Sequence, residues 1–317
     1  MTKAISAISR LIARLTQRPQ SEEQKLEELL SRTIPFLIRE RELITTSREK
    51  IRLWGDVVED YSVLHRIPEK AIEYGEMFGL KIKDTPIMGT HTAAYVEQFS
   101  ERLLQIIKEH DKKDLGLKTT GLSIKFSDFV YPEEGIRWQL EEPKESTFVL
   151  PITGNVNGRE VADARIKIGL CYKSPKELIE EPVYSRNKFV LDEERLRDTY
   201  KCIPPANREK VPQMLPNAFV ISTLFSLLRE KTGRMKGVYA TMNFDYMAEP
   251  ELNQDVSVQI LPSRKPRETK NKENGNTQYM YKISAVCNQN GKQITRGEVL
   301  VTTPYLIDLT KPSHPKQ

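Results

Sequence analysis

The chain has 317 residues, with 49 Lys and Arg against 44 Asp and Glu, a net charge of +5 and 38% apolar residues. That length suits two domains or one large one, and no apolar run reaches the roughly 18 residues of a membrane-spanning helix. Three scattered Cys and four His give neither a disulfide framework nor zinc-ligand spacing, so a reducing compartment is expected, the cytoplasm or a mitochondrial matrix. Much of the positive charge sits in residues 1–20 and 262–274, which leaves the body weakly acidic. Nucleic acid is therefore not an expected partner, because binding it needs a basic face on the fold itself.

In chain order, Ile5, Ile8, Leu11, Ile12 and Leu15 recur at helical spacing among Lys3, Arg10, Arg14 and Arg18. Such an arm suits a helix docked on the body or on a partner, or else a transit peptide or an amphipathic helix on an anionic membrane surface. A second helix opens at Glu22 and runs to about Leu30. Apolar helices follow over residues 90–109 and 217–230, and each precedes a block of strands.

Those blocks are an internal repeat. Ser123–Pro132 aligns with Thr241–Pro250, so that Phe126 and Phe244 each stand six residues before a Pro. Further on, Asn155–Arg159 aligns with Asn288–Lys292, and both segments carry Asn-Gly, a strong hairpin signal because both turn residues tolerate positive φ. The second copy is longer by an insertion at residues 262–278, polar and charged, which reads as a long mobile hairpin loop. Each copy is then a helix followed by antiparallel strands, an α+β module.

Residues 60–94 carry the chemistry. Asp60 and His65 stand five residues apart just before a short helix, and imidazole is the side chain suited to proton transfer near neutral pH. Downstream, Pro86–Gly89 leads into the first apolar helix, where free N–H groups can stabilise an oxyanion and a Gly lets a ligand approach. His91 reads as a satisfied helix-terminus histidine, His110 and His314 as exposed, Trp54 and Trp138 as packing, and the three cysteines as inert buried thiols.

This stretch resembles the MaoC-like, (R)-specific enoyl-CoA hydratases of the hotdog fold. Asp60, Ser62 and His65 stand at that family's spacing, with Pro68, Ala71 and Gly75 in family-like places and Pro86, Ile87 and Gly89 at the start of the central helix. Val63 replaces the family's Pro, and Met88 replaces its His. The resemblance implies a tandem, or double, hotdog: an arm over residues 1–44, a catalytic module over 45–175, a degenerate module over 176–308 and a tail over 309–317. The second copy has neither the acid–imidazole spacing nor the Gly, so one site per chain is expected.

The resemblance also implies a mechanism. Asp60 and His65 activate a water, assisted by Ser62, while the Gly89 N–H polarises the thioester carbonyl and Pro86, Met88 and Thr90 lie beside the substrate. The substrate would be an acyl-CoA or acyl-carrier-protein thioester; no cofactor and no metal is called for, and a homodimer is compatible. Two other readings stand beside it: a hotdog thioesterase, for which Glu97 is the candidate acid on the central helix, and an acyl-binding scaffold without turnover.

Overall fold

The protein was analysed as a computed structural model that describes residues 21–111, 115–144, 146, 148–175, 181–203, 210–233, 237–271 and 273–310. The amphipathic arm of residues 1–20, the 309–317 tail from residue 311 onward and His314 lie outside the described residues. No described helix is long and apolar enough to cross a membrane.

Helix α1 (Glu22–Leu37) starts at a capping box in which Ser21 and Gln24 satisfy each other's backbone N–H groups. It runs past the expected end at Leu30, through Pro35, because Leu26, Leu30, Ile34 and Leu37 form one buried stripe. Strand β1 (Arg41–Ile44) and helix α2 (Arg48–Val57, capped by Ser47) lead to a single 3-10 turn at Val63–His65 and helix α3 (Pro68–Phe78). Helix α4 (Gly89–His110) follows, buried along most of its length.

Strands β2 (Lys118–Phe126), β3 (Ile136–Leu140), β4 (Val149–Val156) and β5 (Arg159–Gly169) complete the first block. The second block has β6 (Tyr184–Leu191), α5 (Glu193–Cys202), α6 (Met214–Thr232), β7 (Val238–Tyr246), β8 (Gln254–Ile260), β9 (Arg267–Lys270), β10 (Thr277–Gln289) and β11 (Lys292–Thr303). Helix α6 begins three residues before the sequence suggests, since Pro216 falls in its first turn, where a missing N–H costs nothing.

All eleven strands form one antiparallel sheet, ordered β1-β3-β4-β5-β2-β7-β11-β10-β8-β6, with β9 on β10. The two blocks join through β2 and β7, and Ile124 and Met242, which hold equivalent places in the repeat, are direct partners there. The sheet is thus organised about a pseudo-two-fold at that pair, with α4 and α6 against its apolar face. Both Asn-Gly turns have the positive φ that the repeat predicts, at Asn157 and Gly158 and at Asn290 and Gly291.

Three expectations need correcting. The 262–278 insertion is not simply loop: part of it pairs as β9, and its tip bonds to α3, Asn271 to the Phe78 carbonyl and Asn274 to the Glu76 carbonyl at 3.2 Å. Cys171 is exposed, at the end of β5, whereas Cys202 and Cys287 are buried. Finally, His91 is no satisfied cap, because it lies wholly buried between the rings of Trp54 and Tyr95, at 5.2 and 4.7 Å.

Candidate active site

The chain leaving α2 must fold sharply back to present Asp60, and two features allow it. Gly55 lies so close to the Asp60 carbonyl that a Cβ would sit 2.8 Å from it, and the Asp60 N–H donates to the Gly55 carbonyl at 2.8 Å. Glu59, at φ 56°, takes the left-handed conformation, which costs a non-glycine residue about 1 kcal/mol or more. It is held there from the second block: Arg186 and Arg195 pair with its carboxylate at 2.6 and 3.0 Å, and Ser222 donates to its carbonyl.

Asp60 is 2% exposed. One carboxylate oxygen accepts the Ser62 N–H at 3.0 Å, and the other is buried with no protein partner. His65 sits at the end of the 3-10 turn, and its Nδ1 lies 2.8 Å from the Pro86 carbonyl. Since a carbonyl only accepts, Nδ1 carries the proton and Nε2 keeps its lone pair. Burial pushes the His65 pKa below its ordinary value, partly offset by the Asp60 charge and the Pro86 bond, so the ring is neutral at pH 7.

His65, Ser62 and Gly89 open onto one cavity of about 540 Å³, within the usual range for small-molecule sites. Its walls are mostly apolar, from Leu64, Leu80 and Val130 in the first block to Phe225 and Val238 in the second. Of the other residues singled out from sequence, Ile87 and Phe126 line this cavity, whereas Asp60, Pro86, Met88 and Thr90 do not. Pro86 orients His65 through its carbonyl. The Met88 side chain is fully buried in the core beside Gly55, and Thr90 is buried with its hydroxyl accepting the Trp54 indole N–H at 3.0 Å.

The space beside Gly89 is filled by protein. A Cβ there would lie 2.6 Å from the Tyr239 ring and 3.0 Å from Phe126, and the Tyr239 hydroxyl accepts the Thr90 N–H at 3.1 Å. Gly89 therefore admits a tyrosine from β7 where the sequence suggested a ligand. Tyr74 on α3 reinforces this junction, its hydroxyl accepting the Gly237 N–H at 2.6 Å and donating to the Gly237 carbonyl at 2.7 Å. Sequence reasoning missed Tyr239, Tyr74 and Glu59, since each acts on a partner more than a hundred residues away.

The N-terminus of α6 is built differently. Glu97 on α4 accepts the Gln213 and Met214 N–H groups at 2.6 and 2.7 Å, so both carboxylate oxygens are engaged in capping. Burial pushes the Glu97 pKa up, to about 8, with Glu101 acting in the same direction. No His/Cys/Asp/Glu cluster among the described residues has the arrangement of a metal site.

No family model and no curated protein matches the sequence. Solved structures match across most of the chain. A MaoC-like dehydratase superposes with a TM-score of 0.53 at 9% identity, covering 84% of this chain and 98% of that one. A MaoC-like dehydratase from Phytophthora capsici gives 0.51 at 7% identity, covering 90% and 99%. A conserved hypothetical protein from Mycobacterium tuberculosis, described as having a double hotdog fold, gives 0.51 at 8%, covering 83% and 93%. The fold is a double hotdog, the architecture that MaoC-like dehydratases share; at these identities the likeness speaks for the fold alone.

Proposed function

We propose that the protein adds water to trans-2-enoyl thioesters, giving (3R)-hydroxyacyl thioesters, or runs the reverse dehydration. The observation that carries this reading is a neutral His65 whose free Nε2 meets an apolar cavity, beside a buried Asp60 with an unpartnered carboxylate oxygen. A water held between these groups gives one proton to Nε2 as its oxygen bonds to C3 of the substrate. The C2–C3 π electrons move toward the carbonyl, and the resulting enolate oxygen is stabilised at the N-terminus of α4. The proton then passes to C2, which restores His65 and completes the product.

Asp60 orients the water and stabilises the transient imidazolium, Ser62 supplies a hydroxyl at the cavity wall, and the Pro86 carbonyl fixes the tautomer. Residues 45–175 are then the catalytic module, and residues 176–308 supply one wall of the acyl cavity in place of a second site. The substrate carrier is coenzyme A or acyl carrier protein, and the expected setting is the cytoplasm or a mitochondrial matrix. A thioesterase using Glu97 is disfavoured, because two backbone N–H groups occupy its carboxylate.

Crotonyl-CoA tests this directly. The purified protein should bleach the enoyl thioester absorbance, and Asp60→Asn and His65→Ala should each lower kcat by about 10²–10⁴-fold, the usual worth of a general acid–base group. Release of free thiol in place of bleaching would establish the thioesterase, and binding without either change would establish the scaffold.

A further inference from the structure

Strand β7 breaks the alternation of its neighbours. Met242, Phe244 and Tyr246 point into the core, so Tyr239 belongs on the outer face with Thr241 and Asn243. The β7–β11 register, however, passes from Thr241 opposite Leu300 to Tyr239 opposite Val301, leaving Ala240 as an extra, exposed residue. A bulge of this kind re-aims the side chains around it, and here it turns Tyr239 inward, onto the cavity that Ser62 and His65 line. The ring is fixed by an edge contact with Phe126, centroids 5.8 Å apart, and by Phe225 at 6.1 Å.

At that position the phenol oxygen meets the N-terminus of α4. It accepts the Thr90 N–H at 3.1 Å. Burial and the nearby Asp60 charge push its pKa up, while the neighbouring Thr90 N–H and hydroxyl and the Gly89 N–H act the other way. With a lone pair of its oxygen engaged by the Thr90 N–H, the hydroxyl has its proton left to give, and among the described residues no acceptor takes it. Donation to the oxygen from a helix N-terminus also makes the O–H a stronger donor.

We propose that Tyr239, by donating its hydroxyl proton in a hydrogen bond, is the catalytic residue that polarises the thioester carbonyl, standing between the substrate and the Gly89–Thr90 amides. This rests on the hydratase reading for its substrate, yet changes the donor: a side chain of the non-catalytic module completes the site. The hydrogen bond strengthens as the enolate forms and no proton leaves the tyrosine, so the hydration stoichiometry is unchanged.

Two measurements separate this inference from the reading beneath it. Turnover of crotonyl-CoA by the wild type tests the hydratase. The absorbance of bound trans-cinnamoyl-CoA tests Tyr239 whether or not turnover occurs, because a conjugated thioester absorbs at longer wavelength when its carbonyl is polarised. Tyr239→Phe is expected to bind cinnamoyl-CoA within about threefold of the wild type, to lose the long-wavelength shift and to lower crotonyl-CoA kcat by about 10²–10³-fold, as loss of one oxyanion donor does. Replacing Tyr239 with 3-fluorotyrosine, a more acidic phenol that preserves the packing, should lengthen the shift further. A retained shift and kcat in Tyr239→Phe, or a shift insensitive to fluorination, overturns the inference in favour of the bare amide. Absence of any shift or any binding in the wild type overturns it as well.

Discussion

Two histidines lie in the first block's interior, and the groups around them set opposite fates. His65 keeps a carbonyl on one nitrogen and a cavity on the other, which leaves it able to exchange protons. His91, two residues into α4 beyond Gly89, is packed between Trp54 and Tyr95, and burial pushes its pKa down to about 3. A group with a folded pKa below its unfolded value binds more protons when unfolded, so stability falls as pH drops below about 6.5. The loss from His91 approaches about 1.4 kcal/mol per pH unit. His91→Phe keeps the ring stack and removes that charge. Its urea midpoint should therefore fall less than the wild type's between pH 6.5 and 5, a window above most carboxylate titrations.

At the scale of elements, the segment just after α3, Gly79 to Lys81, lines the cavity, and the C-terminus of α3 is finished by another part of the chain. Gly79 closes the helix at φ 63°, and the Glu76, Met77 and Phe78 carbonyls of the last turn accept the side-chain amides of Asn271 and Asn274. The hairpin that carries these asparagines also brings Glu273 to the cavity and holds Arg267 and Lys270 on β9. Replacing Asn271 and Asn274 together with Ala should free the tip. The expected result is faster trypsin cleavage at Arg267 and Lys270 and faster amide exchange in the last turn of α3, with global stability lower by only about 1–2 kcal/mol. Unchanged cleavage would mean that β9 pairing alone holds the hairpin.

For the whole molecule, the two copies are one folding unit in physical terms. Their sheets are continuous through β2 and β7, where Gly121 approaches the Phe244 carbonyl so closely that a Cβ would sit 2.6 Å away. One hydrophobic core runs from Leu26 in α1 to Val301 in β11 without a break at the seam. Both tryptophans, Trp54 and Trp138, lie in the first block, so their fluorescence reports that half, whereas far-ultraviolet circular dichroism reports both. The two signals should give one coincident urea transition. Separated midpoints, fluorescence apart from circular dichroism, would show that the seam transmits little stability.

The sequence by itself determined the repeat, both hairpin turns and the two central helices, because each is written in local chemistry: Asn-Gly tolerance of positive φ, helical apolar spacing, and a Phe and Pro at matched offsets. It also singled out Asp60, Ser62, His65 and Gly89, close together along the chain and gathered around one short turn and one helix start. Only the tertiary structure decided what surrounds them. Met88 and Thr90 stand beside Gly89 in sequence but face the core, since a helix start turns successive side chains in different directions. Glu59 is pinned by arginines, and Gly89 is packed by Tyr239, through contacts across the seam. Local pattern cannot show such contacts, least of all where a bulge at Ala240 reverses the face that alternation assigns.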